Sequence, residues 1–235
     1  MTVELITYHG WGFRPDIWKG WERRLPDELS VRHADRGYYD QPVIPEFHAN
    51  ADRKVILAHS FGLHWCPAEQ LEEADHLILL CGFLRFHPRE GQQERRSRLL
   101  LRQMMSRFVR EPGGVIEDFY RNVYAPEPCP LEPPDSAELN HERLLEDLAM
   151  LDADGLPFER VSAAGSCTII HGSEDRIVSR EKSRELYSML PDRARYFEVR
   201  HAGHAVGFTH TEECVQFAQP RLKNDPLTRE ERTFE

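Results

Sequence analysis

The sequence predicts an α/β protein: a mostly parallel sheet covered by helices on both faces, carrying one inserted helical segment. Three observations lead there. Short apolar runs alternate with stretches of helical periodicity through the first 85 residues and again from residue 161, the pattern of strands joined by helical crossovers. Between residues 86 and 160 the strand-like runs stop, and helical periodicity takes over around a proline-rich break at 125–134. One apolar run, Val55-Ile56-Leu57-Ala58, is too short for a helix and ends abruptly in His59-Ser60-Phe61-Gly62, which reads as a buried strand entering a sharp turn. We therefore expect a sheet domain made of residues 1–85 and 161–235, with residues 86–160 forming a helical lid.

The first strand covers residues 3–8 and runs into His9-Gly10-Trp11-Gly12, where two glycines let the backbone turn tightly and point its N–H groups at a ligand. The same pattern also marks a plain strand-ending turn. Pro15-Asp16 opens a helix to about residue 25, and Ile17, Trp18, Trp21 and Leu25 recur at helical spacing, so these tryptophans belong to the core. A second strand at 30–34 ends at the turn Asp35-Arg36-Gly37, and a third covers 54–59. Pro67 falls seven residues after Ser60, so the helix behind that serine is kinked there or starts afresh. Residues 76–81 form a further strand with Gly82-Phe83 at its carboxyl end. In the lid, a helix at 92–109 sets Leu100, Leu101, Met104, Met105 and Phe108 on one stripe and Arg95, Arg98 and Arg102 nearly opposite. A second lid helix spans 136–151. Beyond it come a strand at 167–170, a helix at 180–190, a strand at 196–199 and a helix at 211–222, then a charged, breaker-rich tail from residue 223 that is expected to be loose.

At 235 residues the chain suits one domain with a large core and an insertion. A net charge of -10 argues against general affinity for nucleic acid or anionic membranes. The five cysteines form no C-x-x-C pair and no zinc spacing, as for buried thiols in a reducing compartment. The first apolar run is too short for a signal-peptide core and lacks a basic flank, and no window approaches the length of a membrane span. A cytoplasmic, monomeric protein is the expectation.

The chemistry gathers on three residues in a set order. Ser60 sits at the strand-to-helix turn with small residues, Ala58 and Gly62, two positions to either side. Asp175 follows in His171-Gly172-Ser173-Glu174-Asp175, just after a strand, and His204 comes last in His201-Ala202-Gly203-His204-Ala205. A serine hydroxyl needs a base to take its proton as it attacks. His204 is the candidate base, and Asp175 the acid that orients it. Glu174 is the rival acid, one residue out of the Gly-x-x-Asp spacing. His201 and His204, three apart, suggest a metal pair, but no third ligand has suitable spacing, so neither metal nor cofactor is expected.

Together these segments resemble the α/β-hydrolases, which carry their residues in the order Ser, Asp, His. More narrowly they are similar to the pimeloyl-[acyl-carrier protein] methyl ester esterases of biotin synthesis. The resemblance implies an α/β-hydrolase fold and an oxyanion hole made by the backbone N–H groups of Trp11 and Phe61. It also implies hydrolysis of a methyl ester at the far end of an acyl chain held on an acidic acyl-carrier protein. Two features depart from the family: Ala58 replaces the first elbow glycine, and residues 64–74 contain a proline where a long regular helix is usual. Seven arginines against two glutamates lie between residues 89 and 110. They read either as a solvated face or as a docking patch, centred on Arg95, Arg98 and Arg102, for the carrier protein. Hydrolysis of another ester, thioester or carbon–carbon bond remains open. A non-catalytic binding protein of the same fold also remains open, although the intact Ser, Asp, His set speaks against it.

Overall fold

Six parallel strands form the centre of the computed structural model, which describes residues 2–132, 134–153 and 155–222. They are β1 (Val3–Tyr8), β2 (Ser30–Ala34), β3 (Arg53–His59), β4 (His76–Leu80), β5 (Cys167–Gly172) and β6 (Ala194–Val199). Their order across the sheet is β2-β1-β3-β4-β5-β6. The chain therefore winds outward from β1 to β2, returns to β3 on the other side of β1, and continues in the opposite direction. That reversal places a crevice at the carboxyl ends of β1 and β3, where ligands bind in open sheets of this kind.

The inner strands are continuous apolar runs because both faces are covered. Side chains alternate between two cores: Ile6, Ile56, Ala58 and Leu79 pack into one, while Leu5, Val55, Leu57 and Ile78 pack into the other. Trp18 and Trp21 are buried in the second core, as their spacing predicts.

Around the sheet lie α1 (Lys19–Glu22), α2 (Gly62–Trp65), α3 (Ala68–Glu73), α4 (Gly91–Phe108), α5 (Pro112–Tyr124), α6 (His141–Asp152), α7 (Phe158–Ser162), α8 (Arg180–Ser188), α9 (Val206–Thr209) and α10 (Thr211–Leu222). The helix expected over 15–25 is a 3-10 turn, Pro15–Trp18, followed by the single turn of α1; Pro26 disfavours helical backbone just before it. Behind the serine the chain does start afresh. Cys66 is extended, with ψ 129°, and α3 begins after Pro67. In the 86–160 segment the second helix is α5, opened by Pro112 at its first turn, and the sequence reading did not single it out. The helix expected at 136–151 begins only at His141, where the Asn140 side chain caps it by accepting from the Arg143 N–H. No strand lies between residues 86 and 160 among the described residues. Four cysteines are buried thiols, whereas Cys129 is partly exposed. The tail from residue 223 lies outside the described residues. No described helix is long and apolar enough to cross a membrane.

Candidate active site

The elbow is built by the close approach of the β3–α2 turn to β1. Ser60 has φ 52°, and its N–H is held by the Leu80 carbonyl at 2.9 Å. A Cβ on Gly62 would lie 2.3 Å from the Tyr8 carbonyl oxygen, so only glycine fits there. Ala58 is different: its methyl group packs inside the apolar core of β3, which explains why the first small position tolerates alanine. Strain at the turn holds the serine side chain at the carboxyl edge of the sheet.

Three side chains from three strand ends meet there. Ser60 Oγ is 2.8 Å from His204 Nε2, and His204 Nδ1 is 2.7 Å from Asp175 Oδ2. The Asp175 carboxylate is itself fixed, because its Oδ1 accepts the backbone N–H groups of Ile177 at 2.8 Å and Val178 at 2.9 Å. Burial would raise this carboxyl. The adjacent imidazoles of His204 and His171 outweigh burial and hold it well below the usual carboxylate range. With Asp175 ionised, His204 carries its proton on Nδ1, which leaves Nε2 as the acceptor for the Ser60 hydroxyl. Glu174 does not join this line: its Oε1 lies 3.0 Å from Nδ1 of His201, at the surface. His201 and His204 therefore face different partners.

Sequence reasoning missed two buried histidines beside this line. His59 donates from Nε2 to the His204 carbonyl at 3.0 Å, and burial, with His204 nearby, pushes its pKa down to about 3, so it is neutral. His171 lies 3.1 Å from Asp175 Oδ2. Nothing in the spacing of the sequence distinguishes them from core histidines.

The loop after β1 is fastened by α5, by α6 and by the segment between β2 and β3. Tyr120 on α5 donates to the Gly12 carbonyl at 2.7 Å, Tyr39 does so at 2.8 Å, and the Trp11 indole donates to the Leu144 carbonyl of α6 at 2.9 Å. The backbone N–H groups of Trp11 and Phe61 have no acceptor among the described residues. Both residues line a cavity of about 290 Å³ with Ser60. Its opposite wall comes from helices between β4 and β5, with Leu101 and Met104 of α4, Phe119 of α5 and Leu148 of α6. Among the described residues, Arg176 is the one charged residue lining it.

The arginines of α4 are less free than their density suggests. Arg98 Nη1 lies 2.9 Å from Asp152 Oδ1, and its Nη2 lies 3.0 Å from Glu94. Arg102 reaches Asp152 at 2.9 Å. Arg95 is exposed and has no carboxylate partner among the described residues.

A parallel doubly covered sheet with a strained serine turn after β3, an acid after β5 and a histidine after β6 is the α/β-hydrolase fold. No family model matches the sequence, and no curated protein sequence matches it. Solved structures do match. An esterase from Exiguobacterium antarcticum superposes with a TM-score of 0.73 at 14% identity, covering 94% of this chain and 92% of its own. A thermophilic esterase from Thermogutta terrifontis has a TM-score of 0.62 at 19% identity, covering 96% and 91%. A bromoperoxidase from Bacillus anthracis has a TM-score of 0.69 at 14% identity, covering 96% and 93%. These likenesses establish the fold.

Proposed function

We propose that this chain is a serine carboxylesterase that hydrolyses the methyl ester of a pimeloyl group carried on an acyl-carrier protein, working in the cytoplasm in biotin synthesis. The observation that carries the esterase chemistry is the hydrogen-bonded line from Ser60 through His204 to Asp175, with spacings of 2.8 and 2.7 Å, at the wall of an apolar cavity. Ser60 attacks the ester carbonyl as His204 Nε2 takes its proton. The N–H groups of Trp11 and Phe61 receive the developing oxyanion, a contribution typically worth about 10²- to 10³-fold per donor. His204 then protonates the departing methoxide, and a water activated by the same imidazole releases the acid from the acyl-enzyme. Asp175 stays ionised throughout and stabilises the imidazolium. The roles of Arg95, Arg98 and Arg102 as a seat for the acidic carrier belong to this reading.

One observation favours a second reading, a general carboxylesterase or thioesterase without a carrier. Asp152 takes up the charge of both Arg98 and Arg102, so the positive patch is thinner than the sequence implies. Proteins with the same fold include the esterases from Exiguobacterium antarcticum and Thermogutta terrifontis. Kinetics on pimeloyl-carrier methyl ester beside free short-chain p-nitrophenyl esters separates the two. Carrier preference in kcat/KM supports the first, and equal or better turnover of free esters supports the second. Loss of all activity in Ser60→Ala is required by both.

A further inference from the structure

Beneath the triad acid lies a second imidazole whose hydrogen bonds restrict its protonation. His171, at the end of β5, is fully buried. Its Nε2 faces two oxygens that only accept, Asp175 Oδ2 at 3.1 Å and the Val178 carbonyl at 3.0 Å, so Nε2 carries a proton. Its Nδ1 lies 2.7 Å from Ser183 Oγ, and that hydroxyl lies 2.9 Å from the Gly82 carbonyl, which also only accepts. Ser183 has one hydroxyl proton for two neighbours, the Gly82 carbonyl and His171 Nδ1; when that proton serves Gly82, a proton on His171 Nδ1 satisfies the Ser183 oxygen. A buried imidazolium is tolerated only against a buried negative charge, and Asp175 supplies one.

Resting on the esterase reading above, we propose that His171 is a positioning residue whose charge tempers Asp175, keeping Nε2 of His204 free of a proton and ready to act as base. With His171 cationic, the Asp175 charge is already balanced, and His204 is less driven to bind a second proton, on Nε2, before Ser60 attacks. The other ionisable groups on the surrounding elements do not compete for this role. Burial pushes the Cys81 thiol at the end of β4 well up, so it is neutral. Glu198 of β6 is taken by Arg180 and Arg184 of α8, and Lys182 of α8 donates to the carbonyls of Arg85 and His87. Glu181 of α8 is bound by the Ser179 hydroxyl.

The test compares pH profiles of kcat/KM for a p-nitrophenyl ester in wild type, His171→Gln and Ser183→Ala. Glutamine keeps an amide donor for Asp175 but carries no charge. Its acid limb is expected to move to higher pH by about one unit, the size that one neighbouring charge produces. Ser183→Ala, which removes the acceptor of the Nδ1 proton, should move the limb the same way by less. A merely structural role lowers the rate at every pH and leaves the limb in place, which would overturn the proposal, as would a shift to lower pH. Ring-nitrogen NMR of the unliganded wild-type protein at neutral pH decides the matter independently of turnover. Two attached protons on His171 support the proposal even if no ester is hydrolysed, and a single proton overturns it even if esterase activity is high.

Discussion

Replacing Asp175 by asparagine tests the triad assignment at its most constrained point. The two backbone N–H groups of Ile177 and Val178, at 2.8 and 2.9 Å, both need an acceptor at Oδ1, so the asparagine carbonyl must stay on that side. Its NH₂ group is then turned to His204 Nδ1, 2.7 Å away in the wild type. A donor there makes Nδ1 the acceptor and moves the imidazole proton to Nε2, which faces Ser60. The base is blocked by its own proton. The same NH₂ group also meets the His171 Nε2 proton, so no rotamer satisfies both sides. In a serine protease the equivalent exchange lowers kcat about 10⁴-fold, which is about 5.4 kcal/mol of barrier at 1.36 kcal/mol per decade. We expect a loss of about 10³- to 10⁴-fold in kcat on p-nitrophenyl butyrate, with an unchanged far-ultraviolet circular dichroism spectrum. Glu174→Gln, which disturbs only the surface pair with His201, should change kcat less than about threefold. The reasoning fails if Asp175→Asn keeps more than about a tenth of the activity or if Glu174→Gln proves the more damaging.

Other consequences follow from the packing and charge of the same region. Gly62→Ala would press a methyl group against the Tyr8 carbonyl at 2.3 Å; urea denaturation should show a loss of about 2–3 kcal/mol or more, while Ala58→Gly should lose about 1 kcal/mol or less. Burial pushes His59 down to about 3 and His64 down to about 4, so below pH 6.5 the unfolded chain binds protons that the native state refuses. Stability therefore rises with pH across that window, and going from pH 7 to 4.5 should cost on the order of 2–3 kcal/mol for each histidine, measurable as a reduced loss in His64→Gln. Arg95→Glu, at an exposed site with no carboxylate partner among the described residues, should slow the carrier-linked ester and reduce the salt dependence of that reaction, with free esters unaffected. Arg98→Glu would instead face Asp152 and Glu94 and should lower stability and activity on both substrates.

The sheet was legible because its strands are written as local patterns. The limits of β1, β2 and α10 match the expected ranges, since buried parallel strands are plain apolar runs bounded by turn residues. Ser60, Asp175 and His204 were legible for a related reason: each sits at a strand end, and strand ends are what the runs locate. What the sequence hid depends on contacts between distant segments. Asp152 neutralises Arg98 and Arg102 from 54 and 50 positions away in the chain, beyond any local charge count. Tyr120 clamps Gly12 across 108 positions. His171 reads as one more apolar-strand residue until the loop carrying Asp175 folds over it. The helix expected at 15–25 broke early because Pro26 outweighed a good apolar stripe.

The central claim is that Ser60 is the nucleophile, and active-site labelling tests it most directly. The native protein, treated with a fluorophosphonate and analysed by peptide mass spectrometry, should carry one equivalent of label on the peptide containing Ser60. Ser60→Ala and His204→Ala should take up none. Label on any other serine, or uptake that persists in Ser60→Ala, would contradict the account.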